Sequence, residues 1–224
     1  LNTIHQLDMA TGDVRRHDLR STAGFVQLMH AALDRDGRIW FTGYRGLFGR
    51  LDPASGDIRV FETANGRGPH GLVAGPDGRL WITSVASDTL IAVTPETGRA
   101  ETRSLPRHLS APKGIVVGAG GAIWNTCVRG GAVARFDTRS RLWTTLRLAS
   151  EEIRPYGIAI DAAERIWVAD ETHAVLTRID PATGANADFP LPMTRPTIRH
   201  LATKGDELWC AASGGDKIVR ITVG

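Results

Sequence analysis

Short apolar runs alternate with turn-forming clusters along the whole chain. From Pro69 the sequence reads PHGLVAG, then a GPDGR turn, then LWITS. After a polar loop come TLIAVTP, an ETGR turn and AETRSLP. Runs this short, rich in Val, Ile, Leu and Thr and bounded by Gly, Pro, Asp and Ser, predict antiparallel strands joined by tight turns. Nothing in the unit has helical periodicity. The last run is the most polar and is expected to be the most exposed.

The unit repeats. Trp40, Trp81, Trp124, Trp167 and Trp209 lie 41, 43, 43 and 42 residues apart, in the phrases GRIWFTG, GRLWITS, GAIWNTC, ERIWVAD and DELWCAA. A second phrase keeps step with them: DMATG, DPASG, TPETG, DTRSR and DPATG. A third, PHGLVAG, PKGIVVG and PYGIAID, precedes three of the Trp residues. Four strands per period predict an all-β fold, a β-propeller of four-stranded antiparallel blades, with a solenoid of β-coils as the alternative. The five Trp residues are expected to pack blade against blade.

The blades fall near 25–63, 68–106, 111–149 and 154–192, within a single domain 1–224. Residues 1–19 supply the last two strands of a blade, and 195–223 supply the first three. The resulting twenty-one strands are one too many for a five-bladed ring and too few for a seven-bladed one. The third strand of a blade occurs at both ends, which favours a larger ring lacking roughly 75 residues before Leu1 over a five-bladed ring with a spare strand. The chain opens without Met and without the basic and apolar regions of a secretion signal. Its compartment stays open, and a ring left incomplete is expected to self-associate through its open edges.

Composition adds exclusions. No apolar run approaches the roughly 20 residues of a membrane span. The net charge is +3, and Lys occurs only at 113, 204 and 217. The Arg residues are scattered, without the dense basic run or aromatic interleaving of a nucleic-acid binder. Cys127 and Cys210 have no metal-ligand spacing and are expected as buried free thiols.

Strand direction locates the functional end. The loop entering each blade and the loop after each Trp strand share one rim, where a central channel opens. Entering loops bring Met29 and His30, His70, Lys113, Tyr156, and Arg199 with His200. Loops after the Trp strands bring Tyr44 and Arg45, Ser84, Cys127 and Arg129, Asp170 and Glu171, and Ser213. A basic and aromatic ring with one acidic corner suits a small polar or anionic ligand in the channel. His70 and His200 are candidate general bases, because a neutral imidazole takes a proton near neutral pH. His70 is equally readable as a loop residue, since its Pro-x-Gly setting recurs around Lys113 and Tyr156. Tyr156, Arg199, Lys113, Tyr44 and Arg129 are candidate substrate contacts. Asp170 and Glu171 are candidate ligands for a divalent cation, with His173 expected too far along the loop to join them. Cys127 is accessible by position, but no base lies near it in sequence. No GxSxG or HExxH motif occurs.

The phrases GPHGLVAGPDGRLWITS, KIVRITV and RIDPATGANADFPLP resemble the repeats of the virginiamycin B lyase family. The resemblance implies a seven-bladed propeller and a lyase that linearises a cyclic depsipeptide by elimination. In that chemistry a His is the base and Mg²⁺ polarises the carbonyl beside the scissile ester. The family's last blade opens Glu-Pro-His-Gly, where the Glu binds metal and the His is the base. Here it opens Arg195-Pro196-Thr197-Ile198-Arg199-His200. Counting back from Trp209, the base position falls on Arg199, with His200 one step away. The second metal-binding Glu falls on Ser213, and a substrate-contacting His of the preceding blade falls on Tyr156. The Mg²⁺ implied by the resemblance would then need Asp170 and Glu171. Four readings stand: a lyase opening a cyclic ester, a non-catalytic binding module using the same rim, a lactonase-type hydrolase, and a structural fragment. The lactonase would want more carboxylates, and its Asn, represented by Asn125, lies below the rim.

Overall fold

The computed structural model describes residues 2–19, 24, 26–64, 68–150, 152–194 and 197–223. Among these, regular structure is β apart from two single 3-10 turns, Ala119–Gly121 and Ser213–Gly215. No helix among them is long and apolar enough to cross a membrane. The chain divides into two compact units, Leu1–Arg103 and Ser104–Gly224.

The first unit begins with a hairpin of β1 (Thr3–Leu7) and β2 (Val14–Asp18). Two antiparallel meanders follow. One is β3 (Leu28–Leu33), β4 (Ile39–Gly43), β5 (Leu47–Leu51) and β6 (Ile58–Glu62). The other is β7 (Pro69–Ala74), β8 (Leu80–Ser84), β9 (Thr89–Val93) and β10 (Ala100–Ser104). The second unit holds β11 (Ser110–Val117), β12 (Ile123–Arg129), β13 (Ala132–Phe136) and β14 (Trp143–Arg147). Next come β15 (Pro155–Ile160), β16 (Ile166–Asp170), β17 (Val175–Ile179) and β18 (Asn186–Pro190). A three-stranded sheet of β19 (Ile198–Lys204), β20 (Glu207–Ala212) and β21 (Lys217–Thr222) ends the chain. The all-β, four-stranded antiparallel blades expected from the repeat are observed.

The turns explain the recurring Asp. Asp52 Oδ1 accepts the N–H groups of Ala54 and Ser55 at 2.9 and 3.2 Å. Asp8, Asp137 and Asp180 do the same in their turns. At the other turn of a blade, Asp34 Oδ1 holds the turn N–H groups while its Oδ2 accepts the indole N–H of Trp40 at 2.8 Å. Asp161 and Trp167 repeat this at 2.8 Å, and Glu207 and Trp209 at 3.1 Å. Trp40, Trp81, Trp124 and Trp167 are buried. The indoles of Trp40, Trp81 and Trp167 therefore do more than pack, because a buried indole N–H needs an acceptor and the turn carboxylate supplies it.

The decisive feature is a slip in register at the head of every inner strand. Leu28 pairs with Gly43, but Ala31 pairs with Phe41, so three steps on β3 match two on β4. The same slip separates Pro69 from Leu72, Pro112 from Ile115, Pro155 from Ile158, and Ile198 from Leu201. A β-bulge of this kind re-aims a side chain. It puts Met29, His70, Lys113, Tyr156 and Arg199 at the same place in their respective blades.

A bulge leaves backbone groups without ladder partners, and buried groups of that kind must be satisfied elsewhere. Threonine does this. Thr126 Oγ1 accepts the Gly114 N–H at 2.9 Å and donates to the Tyr156 carbonyl at 2.9 Å, tying β11 to β15. Thr42 Oγ1 likewise accepts the His30 N–H at 3.2 Å and donates to the His70 carbonyl at 2.6 Å. Both hydroxyls lie on side chains with no exposed surface. Gly114 is required by the close approach, because a Cβ there would collide with the Tyr156 carbonyl oxygen.

Thr126→Val should therefore leave both the bulge N–H and the neighbouring carbonyl unsatisfied, lowering stability by about 1–3 kcal/mol. Thr126→Ser should recover most of the loss in denaturant-induced unfolding. A Val variant as stable as the parent would show that the hydroxyl is not what holds the bulge.

Candidate functional site

Three of the bulge side chains, Lys113, Tyr156 and Arg199, lie in Ser104–Gly224 and meet around one carboxylate. Glu171 follows β16, and its backbone N–H is anchored to the Arg154 carbonyl at 3.0 Å. Its Oε2 lies 3.4 Å from Lys113 Nζ, and its Oε1 lies 3.1 Å from both Nε and Nη2 of Arg199. Lys113 Nζ sits 3.9 Å from the centroid of the Tyr156 ring, and the Arg199 guanidinium carbon sits 5.6 Å from it. Both cations thus use the π-face of Tyr156 as well as the Glu171 carboxylate.

Burial grades across the cluster. Tyr156 is buried, Lys113 and Glu171 are mostly covered, and the Arg199 side chain is 50% exposed and forms the solvent edge. Burial pulls the Lys113 ammonium below the ordinary amine range. Glu171 opposes that shift, and the Arg199 and Arg154 guanidinium groups add to it. Burial pushes the Tyr156 phenol up, with Arg199 opposing and Glu171 assisting. Glu171 is thus matched by two cations, Lys113 and Arg199.

Asp170 belongs to a different arrangement. It is 3% exposed, and its Oδ1 accepts the Thr172 N–H at 2.7 Å, the Thr172 hydroxyl at 2.8 Å and the His173 N–H at 3.1 Å. Its Oδ2 lies 2.9 Å from His173 Nδ1. His173, expected too far along the loop, is in fact the closest partner of that oxygen, because the turn doubles back within three residues. Burial would raise the Asp170 carboxyl, but the bonds from His173 and Thr172 outweigh it and hold it below the ordinary range.

These donors do not fit Mg²⁺, which needs several hard oxygens free in octahedral geometry. Asp170 has both oxygens committed to its own loop, and Glu171 stands between two cations. Among the described residues, no group of three His, Cys, Asp or Glu is arranged to hold a metal. The last-blade positions that the family resemblance equates with metal ligands make other contacts. Ser213 Oγ donates to the Thr197 carbonyl at 3.0 Å, and Thr197 lies two residues before Arg199. Arg195 and Pro196 of the same phrase lie outside the described residues.

The remaining candidates are dispersed. His70 is buried in β7, in the first unit, rather than standing in an open loop. Tyr44 is half-buried in that unit, with its N–H on the Gln27 carbonyl and its carbonyl on the Gly68 N–H. His200 is exposed on β19, and loss of hydration together with the adjacent Arg199 charge lowers its imidazole pKa. Arg129 is exposed at the end of β12, opposite Ser110. Cys127 is fully buried with Asn125 Nδ2 at 3.3 Å, which corrects its placement as an accessible thiol. A cavity of about 250 Å³ lined by Trp124, Arg135, Ile160, Glu164 and Pro181 opens among the turns at the other ends of the strands, away from this cluster.

Three of the seven described non-glycine residues with positive φ lie at these heads of strands. Gln27 and Thr197, just before their bulged strands, and Ala111, the second residue of β11, have φ of 53°, 36° and 55°. Left-handed backbone in residues other than glycine is disfavoured and gathers where a site must be held in place. Sequence reasoning missed Arg154, which precedes Pro155, accepts the Glu171 N–H on its carbonyl and bears on Lys113 by its charge. The only signal for it was its place just before the Pro-Tyr-Gly phrase.

Comparison with known proteins places this arrangement. The chain is an all-β propeller. It aligns over 99% of its length with 74% of a catalytically inactive histidine-to-alanine variant of virginiamycin B lyase from Staphylococcus aureus with quinupristin, at 25% identity and a TM-score of 0.89. A streptogramin B lyase structure matches over 98% of this chain and 72% of that one, at 24% identity and a TM-score of 0.88. The whole chain, residues 1–224, matches the virginiamycin B lyase family, and the protein belongs to that family. No curated protein matches it.

The Asp170 loop has a measurable pH signature. A carboxyl held below its unfolded value stabilises the fold above that value, and the contribution is lost as pH falls through the folded pKa. Stability should therefore drop between about pH 5 and pH 2, and Asp170→Asn should flatten that slope. Unfolding curves of the two proteins across this range check it, and identical slopes would remove Asp170 from the acid limb.

Proposed function

We propose that this protein is a ligand-binding propeller of the virginiamycin B lyase family, taking a small polar ligand at the Lys113–Tyr156–Arg199 rim rather than catalysing a Mg²⁺-assisted elimination. The observation that carries the reading is the position of Glu171, whose carboxylate bridges Lys113 and Arg199. An elimination of the family type needs a base for the proton and a cation for the developing negative charge. The base position falls on Arg199, and a guanidinium does not deprotonate in proteins. His200 is exposed on the neighbouring position, and the engagement of Asp170 with its own loop and of Glu171 with two cations argues against a Mg²⁺ site there. The lactonase reading needs the same missing metal donors.

The relative's association with quinupristin supplies the test substrate. The full chain should leave quinupristin unopened, with and without added Mg²⁺, when the ring-opened product is followed by chromatography and mass spectrometry. Mg²⁺-dependent opening without mass change would restore the lyase. Opening with the gain of one water would restore the hydrolase.

A further inference from the structure

The rim has more positive charge than its own carboxylate can match, and it presents that charge in a form that selects a particular ligand. Lys113 and Arg199 both face one anion, Glu171, and the exposed Arg154 adds its charge to Lys113. Arg199 turns two nitrogens, Nε and Nη2, toward the same Glu171 oxygen at 3.1 Å. That edge of a guanidinium is the one that receives carboxylates in paired hydrogen bonds. Lys113 faces the second oxygen of the same carboxylate, with its ammonium backed by the Tyr156 ring.

The two ends of this bridge are held rigidly. Lys113 and Arg199 stand on bulged inner strands, and Gly114, next to Lys113, is tied through Thr126 to Tyr156. Glu171 is different: it lies in the loop between β16 and β17, with its backbone N–H on the Arg154 carbonyl and its carboxylate on Lys113 and Arg199. Asp170 beside it is fixed by four contacts within its own loop, so Glu171 can turn aside without disturbing the strand. The half-exposed Arg199 leaves a path from solvent.

We infer that this rim is a carboxylate-exchange site, in which the carboxylate of a small organic acid takes the place of Glu171 between Lys113 and Arg199. The inference rests on the ligand-binding reading above and names its chemical class. Glu171 is then an internal competitor, a tethered carboxylate that fills the site when no ligand does. A tethered group competes at an effective concentration in the millimolar range, so only acids with additional contacts displace it in the parent protein. The Lys113 side chain is only 18% exposed, which strengthens its contact with an arriving anion.

The test uses the full chain and acetate as the probe, titrated by calorimetry at low ionic strength, with inorganic phosphate and chloride as comparison anions. Glu171→Gln removes the competing charge and keeps the shape. It should bind acetate about 10-fold or more tightly than the parent, and adding Arg199→Gln should abolish the gain. Glu171→Asp, which retains the charge on a shorter arm, should show a smaller gain. An E171Q protein that binds acetate no better than the parent would overturn the proposal. So would a gain that survives loss of Arg199, or tighter binding of phosphate than of acetate. If E171Q lacks the parent's β-sheet circular dichroism, the parent and Lys113→Met decide instead. Acetate should raise the melting temperature of the parent but not of K113M, and an equal rise in both would overturn the proposal. No turnover is read here, so Mg²⁺-dependent opening of quinupristin would defeat the functional reading without deciding the carboxylate site. Phosphate-only binding would defeat the carboxylate site and leave the functional reading standing.

Discussion

A single extra residue at the head of each inner strand governs what this protein presents to solvent. Without the bulge, strict alternation would fix each rim side chain by the parity of its strand. With it, Lys113, Tyr156 and Arg199 occupy equivalent places and can converge on one carboxylate. The bulge survives burial because a threonine hydroxyl accepts its N–H and donates to the carbonyl of the next inner strand. The repeat lacks that threonine at Ala169 and Ala211; the bulge after Ala169 carries Arg199, and within the last blade Ser213 donates to the Thr197 carbonyl. The chemistry of the last blade therefore changes together with the way its backbone is held.

The same scaffold positions that carry a base and metal ligands in the family resemblance here carry Arg199, Thr197 and Ser213. Substituting cations and neutral hydroxyls for carboxylates changes what the rim attracts. A site with Mg²⁺ donors gathers positive charge. This one offers a guanidinium edge and a partly dehydrated ammonium on an aromatic face, which gather negative charge. Glu171 supplies the balancing carboxylate from a loop, where it can be replaced without breaking a strand.

Much of the architecture was legible in the chain because the informative signals are local. The Trp spacing, the Gly-bounded runs and the DPxTG turns each lie within a few residues, and each maps onto an observed strand or turn. The bulges were not legible, since a register slip is defined only against the partner strand. The threonines were visible in WFTG, WITS and WNTC, but their role needs the neighbouring blade. Within the site, the sequence brought Lys113, Tyr156 and Arg199 to one rim through the repeat. It could not show that Glu171 pairs with Lys113, 58 residues away, and not with Asp170 beside it. It also placed His173 too far from Asp170, because a tight turn shortens a distance that residue counting lengthens.

The central claim is that the carboxylates near the rim are committed to protein partners and do not form a divalent-cation site. Titration with Mn²⁺, a spectroscopically visible stand-in for Mg²⁺, measures this directly through the electron paramagnetic resonance signal of the free ion. The free-ion signal should rise in proportion to added Mn²⁺, with no saturable site and no difference between the parent and Glu171→Ala. A saturable Mn²⁺ site in the parent that disappears in Glu171→Ala would contradict it.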